Sequence, residues 1–225
     1  MKSLESVFGG IVQSLLMKMN LEIVNFNDPD MKKVNGKINE IRKETPLSLS
    51  NTAAQELFTA VKATGKIEGD IAEVGVFKGG SAKVICEGKE DRVLHLFDTF
   101  NCTPPPGTVE DTNSGHEGSF CSDPKKVEEF LAEFPKVHIY EGLFPDTAGP
   151  VENKRFSLVH LDVNLYGPML DCLRFFYPRM NRGGAIVSHD YIYRSGVKKA
   201  FEEFFSDKPE IVLGLPSYQC VVIKL

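Results

Sequence analysis

Ile211-Val212-Leu213-Gly214-Leu215, then Pro216-Ser217-Tyr218-Gln219, then Cys220-Val221-Val222-Ile223-Lys224-Leu225: two apolar runs stand only a short turn apart. Parallel strands need a crossover of a dozen or more residues, so these two runs must pair antiparallel, as a hairpin. Upstream the pattern differs. Short apolar runs at Ile71–Val76, Val93–Phe97, Val137–Tyr140, Phe156–Leu161 and Ala185–Ser188 alternate with helical stretches at 81–88, 124–133, 167–177 and 196–205. Alternation of that kind builds a parallel sheet with helices on both faces. Five such strands and a hairpin predict an α/β fold with a seven-stranded, mostly parallel sheet closed by a C-terminal antiparallel hairpin.

Residues 1–65 read differently, as an N-terminal helical extension to a ligand-binding domain at 66–225. Leu4, Val7, Phe8, Ile11, Val12, Leu15, Leu16 and Met19 recur at helical spacing. Ser, Glu, Gln and Lys fill the gaps, and no cleavage site of small residues follows, so the stretch is an amphipathic helix rather than a leader. It packs on its own domain or on a second subunit as a homodimer contact. Thr52 with Gln55 reads as a capping box for a helix ending near residue 63. No stretch reaches membrane-spanning length. The net charge of -5 leaves no basic footprint for nucleic acid. Five widely spaced cysteines without a C-x-x-C pair predict neither a zinc knuckle nor a disulfide framework, and a cytoplasmic location.

In open α/β sheets ligands bind beyond the carboxyl ends of the strands. The first strand runs into Glu73-Val-Gly75-Val-Phe-Lys-Gly79-Gly80-Ser81. Glycines let the backbone turn tightly and approach a ligand. The helix that follows offers free N–H groups, suited to a carboxylate, and Glu73 suits an ammonium. S-adenosylmethionine carries both groups. The spacing is not G-x-G-x-x-G, and any tight strand-to-helix turn also uses glycine. Asp98, at the end of the second strand, is placed to accept hydrogen bonds from ribose hydroxyls; alone, it could equally cap a loop. Gly142 and Phe144 follow the third strand, where a glycine and an apolar pair could hold an adenine face. Asp162 and Asp190 follow the fourth and fifth strands. A right-handed βαβ unit makes these strands neighbours, so the two carboxylates should converge. Such a pair can bind a divalent cation or act as a base.

These residues, within Glu73-Val-Gly-Val-Phe-Lys-Gly-Gly, Leu96-Phe-Asp-Thr-Phe, Gly142-Leu-Phe-Pro-Asp-Thr, His160-Leu-Asp-Val-Asn-Leu-Tyr, Tyr177-Pro-Arg-Met-Asn-Arg-Gly-Gly and His189-Asp-Tyr, resemble the macrocin O-methyltransferase family. The resemblance covers about residues 70–224. It implies a Rossmann-like methyltransferase fold and S-adenosylmethionine-dependent methylation of a hydroxyl on a small molecule, a sugar or glycoside. It also implies Glu73, Gly75 and Asp98 at the cofactor, and magnesium held by Asp162 and Asp190. Two positions depart from the antibiotic-sugar enzymes of that family. His189 stands where they carry the first of two aspartates, and Asn164 where they tend to carry an aspartate.

Methyl transfer from a sulfonium needs alignment and a destination for one proton. Three residues are candidates for that work: Asp162, His189, and His116 within the long loop 99–123, which reads as a lid. In a metal-free site His189 would be the base, losing activity as it protonates below about pH 6.5. Two other functions fit less of the pattern. An NAD-dependent oxidoreductase is disfavoured by the terminal hairpin, and a non-catalytic S-adenosylmethionine-binding protein is separated from an enzyme by turnover.

Overall fold

The computed structural model describes residues 29–101 and 121–225. The amphipathic stretch Leu4–Met19, and with it the homodimer contact, lies outside the described residues. So do His116 and most of the expected lid. The chain divides into two compact units, Met1–Val34 and Asn35–Leu225.

Helices α1 (Pro29–Glu44) and α2 (Asn51–Ala63) precede the sheet. The cap of α2 is Ser50, whose side chain accepts from the Ala53 N–H; Thr52 falls inside the first turn. The inner face of α2 is fully buried through Ala53, Ala54, Leu57 and Val61. It lies so close to α3 (Gly80–Gly88) that a Cβ on Gly88 would come 3.0 Å from a Val61 methyl. Residues 35–65 therefore group with the sheet, although the sequence pattern assigns them to an extension.

The strands are β1 (Asp70–Val74), β2 (Leu94–Asp98), β3 (Val137–Glu141), β4 (Phe156–Leu161), β5 (Met180–Ser188), β6 (Leu213–Gly214) and β7 (Cys220–Ile223). Their order across the sheet is β3-β2-β1-β4-β5-β7-β6. β1 to β5 run parallel, while β7 pairs antiparallel with both β5 and β6. The hairpin is present as expected, but β6 is shorter than its apolar run: Ile211 and Leu213 are exposed. β5 begins at Met180 rather than Ala185. Helices α4 (Pro124–Phe130), α5 (Tyr166–Phe176) and α6 (Ser195–Phe205) complete the described elements that frame the cleft. Phe97, Phe144, Phe156 and Phe176 join α5 and α6 to one face of the sheet in a single core.

Among the cysteines, Cys86, Cys172 and Cys220 are free and buried, but Cys121 is disulfide-bonded. A single bridge is not the disulfide framework that the cysteine spacing speaks against.

Candidate functional site

The strand order reverses between β1 and β4, and the crevice there is where an open α/β sheet binds its ligand. Three sequence candidates reach it because the ladders run one residue past the strands. The Gly75 N–H donates to the Phe97 carbonyl at 2.9 Å, Asp162 N–H to Val74 at 2.8 Å, and His189 N–H to Leu161 at 2.9 Å. Gly75 has φ +90°, and a Cβ there would sit 2.2 Å from the Asp162 carbonyl oxygen. Only glycine fits, and the crevice floor stays bare backbone. Gly79 caps α3 at φ +81°, in the left-handed region, and opens the helix N-terminus toward the same turn.

Asp98 fastens this turn. Its Oδ2 accepts from the Val76 N–H at 2.7 Å and the Phe77 N–H at 2.8 Å, and its Oδ1 from the Phe100 N–H at 2.7 Å. Phe77 and Phe100 both have positive φ, at 52° and 51°, a conformation that needs such external support. A carboxylate has about four acceptor sites, so about one remains for a ribose hydroxyl. The sequence makes Asp98 a ribose acceptor; the structure makes it first a clamp on the glycine turn.

Glu73 is fully buried, and by strand register it faces His160 across β1 and β4. Its Oε1 lies 2.8 Å from His160 Nδ1. Burial pushes the Glu73 carboxyl up from its ordinary value, while His160 and the Ser81 hydroxyl in the first turn of α3 act against that. Glu73 Oε2 and His160 Nε2 are buried without a hydrogen-bond partner among the described residues. An orphaned acceptor beside a glycine cradle fits the ammonium of S-adenosylmethionine. The parallel register of β1 and β4 is the signal that pairs His160 with Glu73.

Asp162, His189 and Asp190 converge as expected of the two strand ends, with potential ligand atoms within 4.8 Å of one another. His189 Nδ1 lies 3.4 Å from Asp162 Oδ1 and 3.3 Å from Asp190 Oδ1, and the three side chains are 13%, 20% and 19% exposed. Arg194, four residues beyond Asp190, approaches its other oxygen at 3.9 Å. The sequence pattern does not single out Arg194, because the turn that brings it to Asp190 precedes α6 and carries no helical spacing. Burial works against a charge on His189, but the two carboxylates outweigh it and push the imidazole up to about 10. Burial likewise disfavours the Asp162 carboxylate, and His189 outweighs it, holding the carboxyl below its ordinary range. The two carboxylates thus favour the charged form of the ring, which works against the role of base expected of His189. The donor set does not fit magnesium as it stands. Magnesium takes oxygen ligands, and here a ring nitrogen and a guanidinium already face the two carboxylates.

Gly142 has φ +134°, and a Cβ there would strike the Thr147 methyl at 2.7 Å, so its role in the turn after β3 is steric. Phe144 does not face the cleft. It is buried against Phe97, Phe175 and Phe176, with ring centroids 5.2, 5.2 and 5.1 Å away. Leu143 beside it is exposed.

Known proteins share this fold. The family model for macrocin-O-methyltransferase (TylF) matches residues 51–212. A tetracenomycin-C 4'-O-methyltransferase of Streptomyces olivaceus, acting on the 8-demethyl-8-(2,3-dimethoxy-alpha-L-rhamnosyl) form, is 28% identical over 142 residues, 56% of this chain and 54% of that protein. The demethyldecarbamoylnovobiocin O-methyltransferase of Streptomyces niveus is 25% identical over 155 residues, 61% of this chain and 58% of that protein. The chain thus spans about half the length of the curated relatives it matches. Among solved structures, the O-methyltransferase NovP superposes with a TM-score of 0.68 at 20% identity, covering 76% of this chain and 78% of NovP. An O-methyltransferase from Bacillus cereus in complex with SAH gives 0.58 at 14% identity, covering 95% and 97%. These superpositions show a shared Rossmann-like methyltransferase fold, and the family match, which contains Glu73, Asp98, Asp162 and Asp190, shows that the chain belongs to the macrocin O-methyltransferase family.

Proposed function

We propose that the chain transfers a methyl group from S-adenosylmethionine to a hydroxyl oxygen of a sugar-containing small molecule. The observation that carries this reading is the crevice between β1 and β4, where Gly75 keeps the floor bare and Asp98 holds the glycine turn open. S-adenosylmethionine, when bound, supplies a methyl group on a positively charged sulfur. The N-terminus of α3 and the Gly75–Gly79 turn would take its carboxylate, Glu73 Oε2 its ammonium, and the remaining acceptor site of Asp98 a ribose hydroxyl. The acceptor class is supported by relatives whose names specify sugar-borne positions, as in the rhamnosyl tetracenomycin enzyme.

The chain's own task is to align one oxygen and receive one proton. Orientation can supply several kcal/mol. Asp162 is the carboxylate suited to both duties. It can accept a hydrogen bond from the acceptor hydroxyl, orienting a lone pair toward the methyl carbon, and then keep the proton as the new O–C bond forms and the S–C bond breaks. A weak base is enough, because the hydroxyl becomes strongly acidic as its oxygen bonds to carbon. His189 contributes by holding Asp162 ionised. Magnesium at Asp162 and Asp190 would meet the His189 ring nitrogen beside them, a donor it disfavours.

Release of S-adenosylhomocysteine, measured across a panel of free sugars, glycosides and phenols, tests the proposal. Turnover on a glycoside is expected and would also end the non-catalytic reading. Cofactor binding with no turnover on any member would favour a binding protein.

A further inference from the structure

We propose that His189 takes the place of the divalent cation in this chain, its ring closing the pair of carboxylates on Asp162 and Asp190, so that the site works without a metal. That the metal-free site catalyses methyl transfer rests on the function proposed above; that it holds no ion does not.

The argument begins with charge. Two carboxylates brought to one end of neighbouring strands repel, and without a countercharge one of them would be driven neutral. A magnesium ion is one remedy. In this chain the space between them is taken by side chains: the His189 nitrogen lies 3.4 and 3.3 Å from one oxygen of each carboxylate, and the Arg194 guanidinium 3.9 Å from the second oxygen of Asp190. The ring does not reach in from solvent. It belongs to the residue directly after β5, its N–H is pinned to the Leu161 carbonyl at 2.9 Å, and its side chain is 13% exposed. Asp190 is itself held at φ +58°, and the Arg194 N–H donates to the Asp190 carbonyl at 2.8 Å. That turn aims Asp190 and Arg194 back at the histidine. An ion seated between the carboxylates would have to share the space with this ring and accept a nitrogen donor, which magnesium disfavours. The seat is built, and a side chain fills it.

The experiment uses the full chain, stripped with chelator and titrated with Mn2+ as an electron paramagnetic probe, with Mg2+ as competitor. Calorimetry with S-adenosylhomocysteine on the same samples reports an intact crevice independently of turnover. Wild type is expected to bind no more Mn2+ than Asp162→Asn does. His189→Asp, which replaces the ring with a third carboxylate, is expected to gain at least the 10–100-fold in affinity that even outer-shell partners of a metal command. Two results would overturn the proposal: stoichiometric Mn2+ on wild type, displaced by Mg2+ and lost in Asp162→Asn, or His189→Asp that still binds S-adenosylhomocysteine yet gains no Mn2+. If His189→Asp does not fold, the wild-type comparison decides alone.

Discussion

Replacing Asp98 by alanine separates the clamp on the glycine turn from a contact to the ligand alone. The substitution strands three backbone donors, those of Val76, Phe77 and Phe100. A hydrogen bond to a charged group contributes roughly 1.5–3 kcal/mol. Asp98 is only partly buried, so water recovers part of each, and about 1 kcal/mol per bond is the reasonable share. The expected loss is therefore about 3 kcal/mol of stability, or about 6–12 °C in Tm for a chain of this size. Affinity for S-adenosylhomocysteine should fall by about 1–3 kcal/mol, roughly 5- to 150-fold. Differential scanning calorimetry and isothermal titration give both numbers on one preparation. A Tm within about 2 °C of wild type, with ligand affinity lost, would refute the clamp and restore Asp98 to a pure ribose acceptor.

Other perturbations probe other parts of the molecule. Gly75→Ala forces a Cβ to 2.2 Å from the Asp162 carbonyl at positive φ; it should cost about 3–5 kcal/mol and abolish cofactor binding, and a soluble variant with normal affinity would contradict that geometry. His160→Ala removes the ring nitrogen that meets Oε1 of the buried Glu73, and a loss of about 3 kcal/mol in urea unfolding is expected; a neutral result would mean that the pair is dispensable. At Glu210, burial works against the charge, but Lys224 at 2.5 Å and Tyr177 at 2.9 Å outweigh it and hold the carboxyl below its ordinary 4.5. A depressed folded value contributes stability above the unfolded value that is lost as pH falls through the folded one. Glu210→Gln should therefore melt lower than wild type near neutral pH, with the gap closing below about pH 4.5; a gap that is constant with pH would rule the ion pair out as its source.

The parallel half of the sheet is legible because each of its strands is a short apolar run with turn residues on either side. What escapes the sequence is partnership. Asn181-Arg182-Gly183-Gly184 looks like a turn, yet it extends β5, because Gly183 N–H donates to the Lys224 carbonyl at 2.7 Å and Lys224 N–H to Gly184 at 2.8 Å. Ile211 looks like strand but is exposed. The same holds in the site. Asp98, Asp162 and Asp190 stand out because strand ends are few and acidic residues there are conspicuous. The protonation of His189 depends on carboxylates from two strands, and Phe144 turns inward because Phe175 and Phe176 wait on α5. Such facts belong to pairs of segments far apart in the chain.

The position of β7 bears on how the protein is made. β7 follows β6 in sequence yet lies inside the sheet, between β5 and β6. During synthesis every element through α6 can leave the ribosome while the far edge of β5 still lacks its partner. Along that edge Ala185, Ile186 and Val187 carry unpaired backbone groups, the kind of template on which nascent chains aggregate. Crowded, rapid translation should therefore favour inclusion bodies, and slower synthesis at low temperature should favour soluble protein.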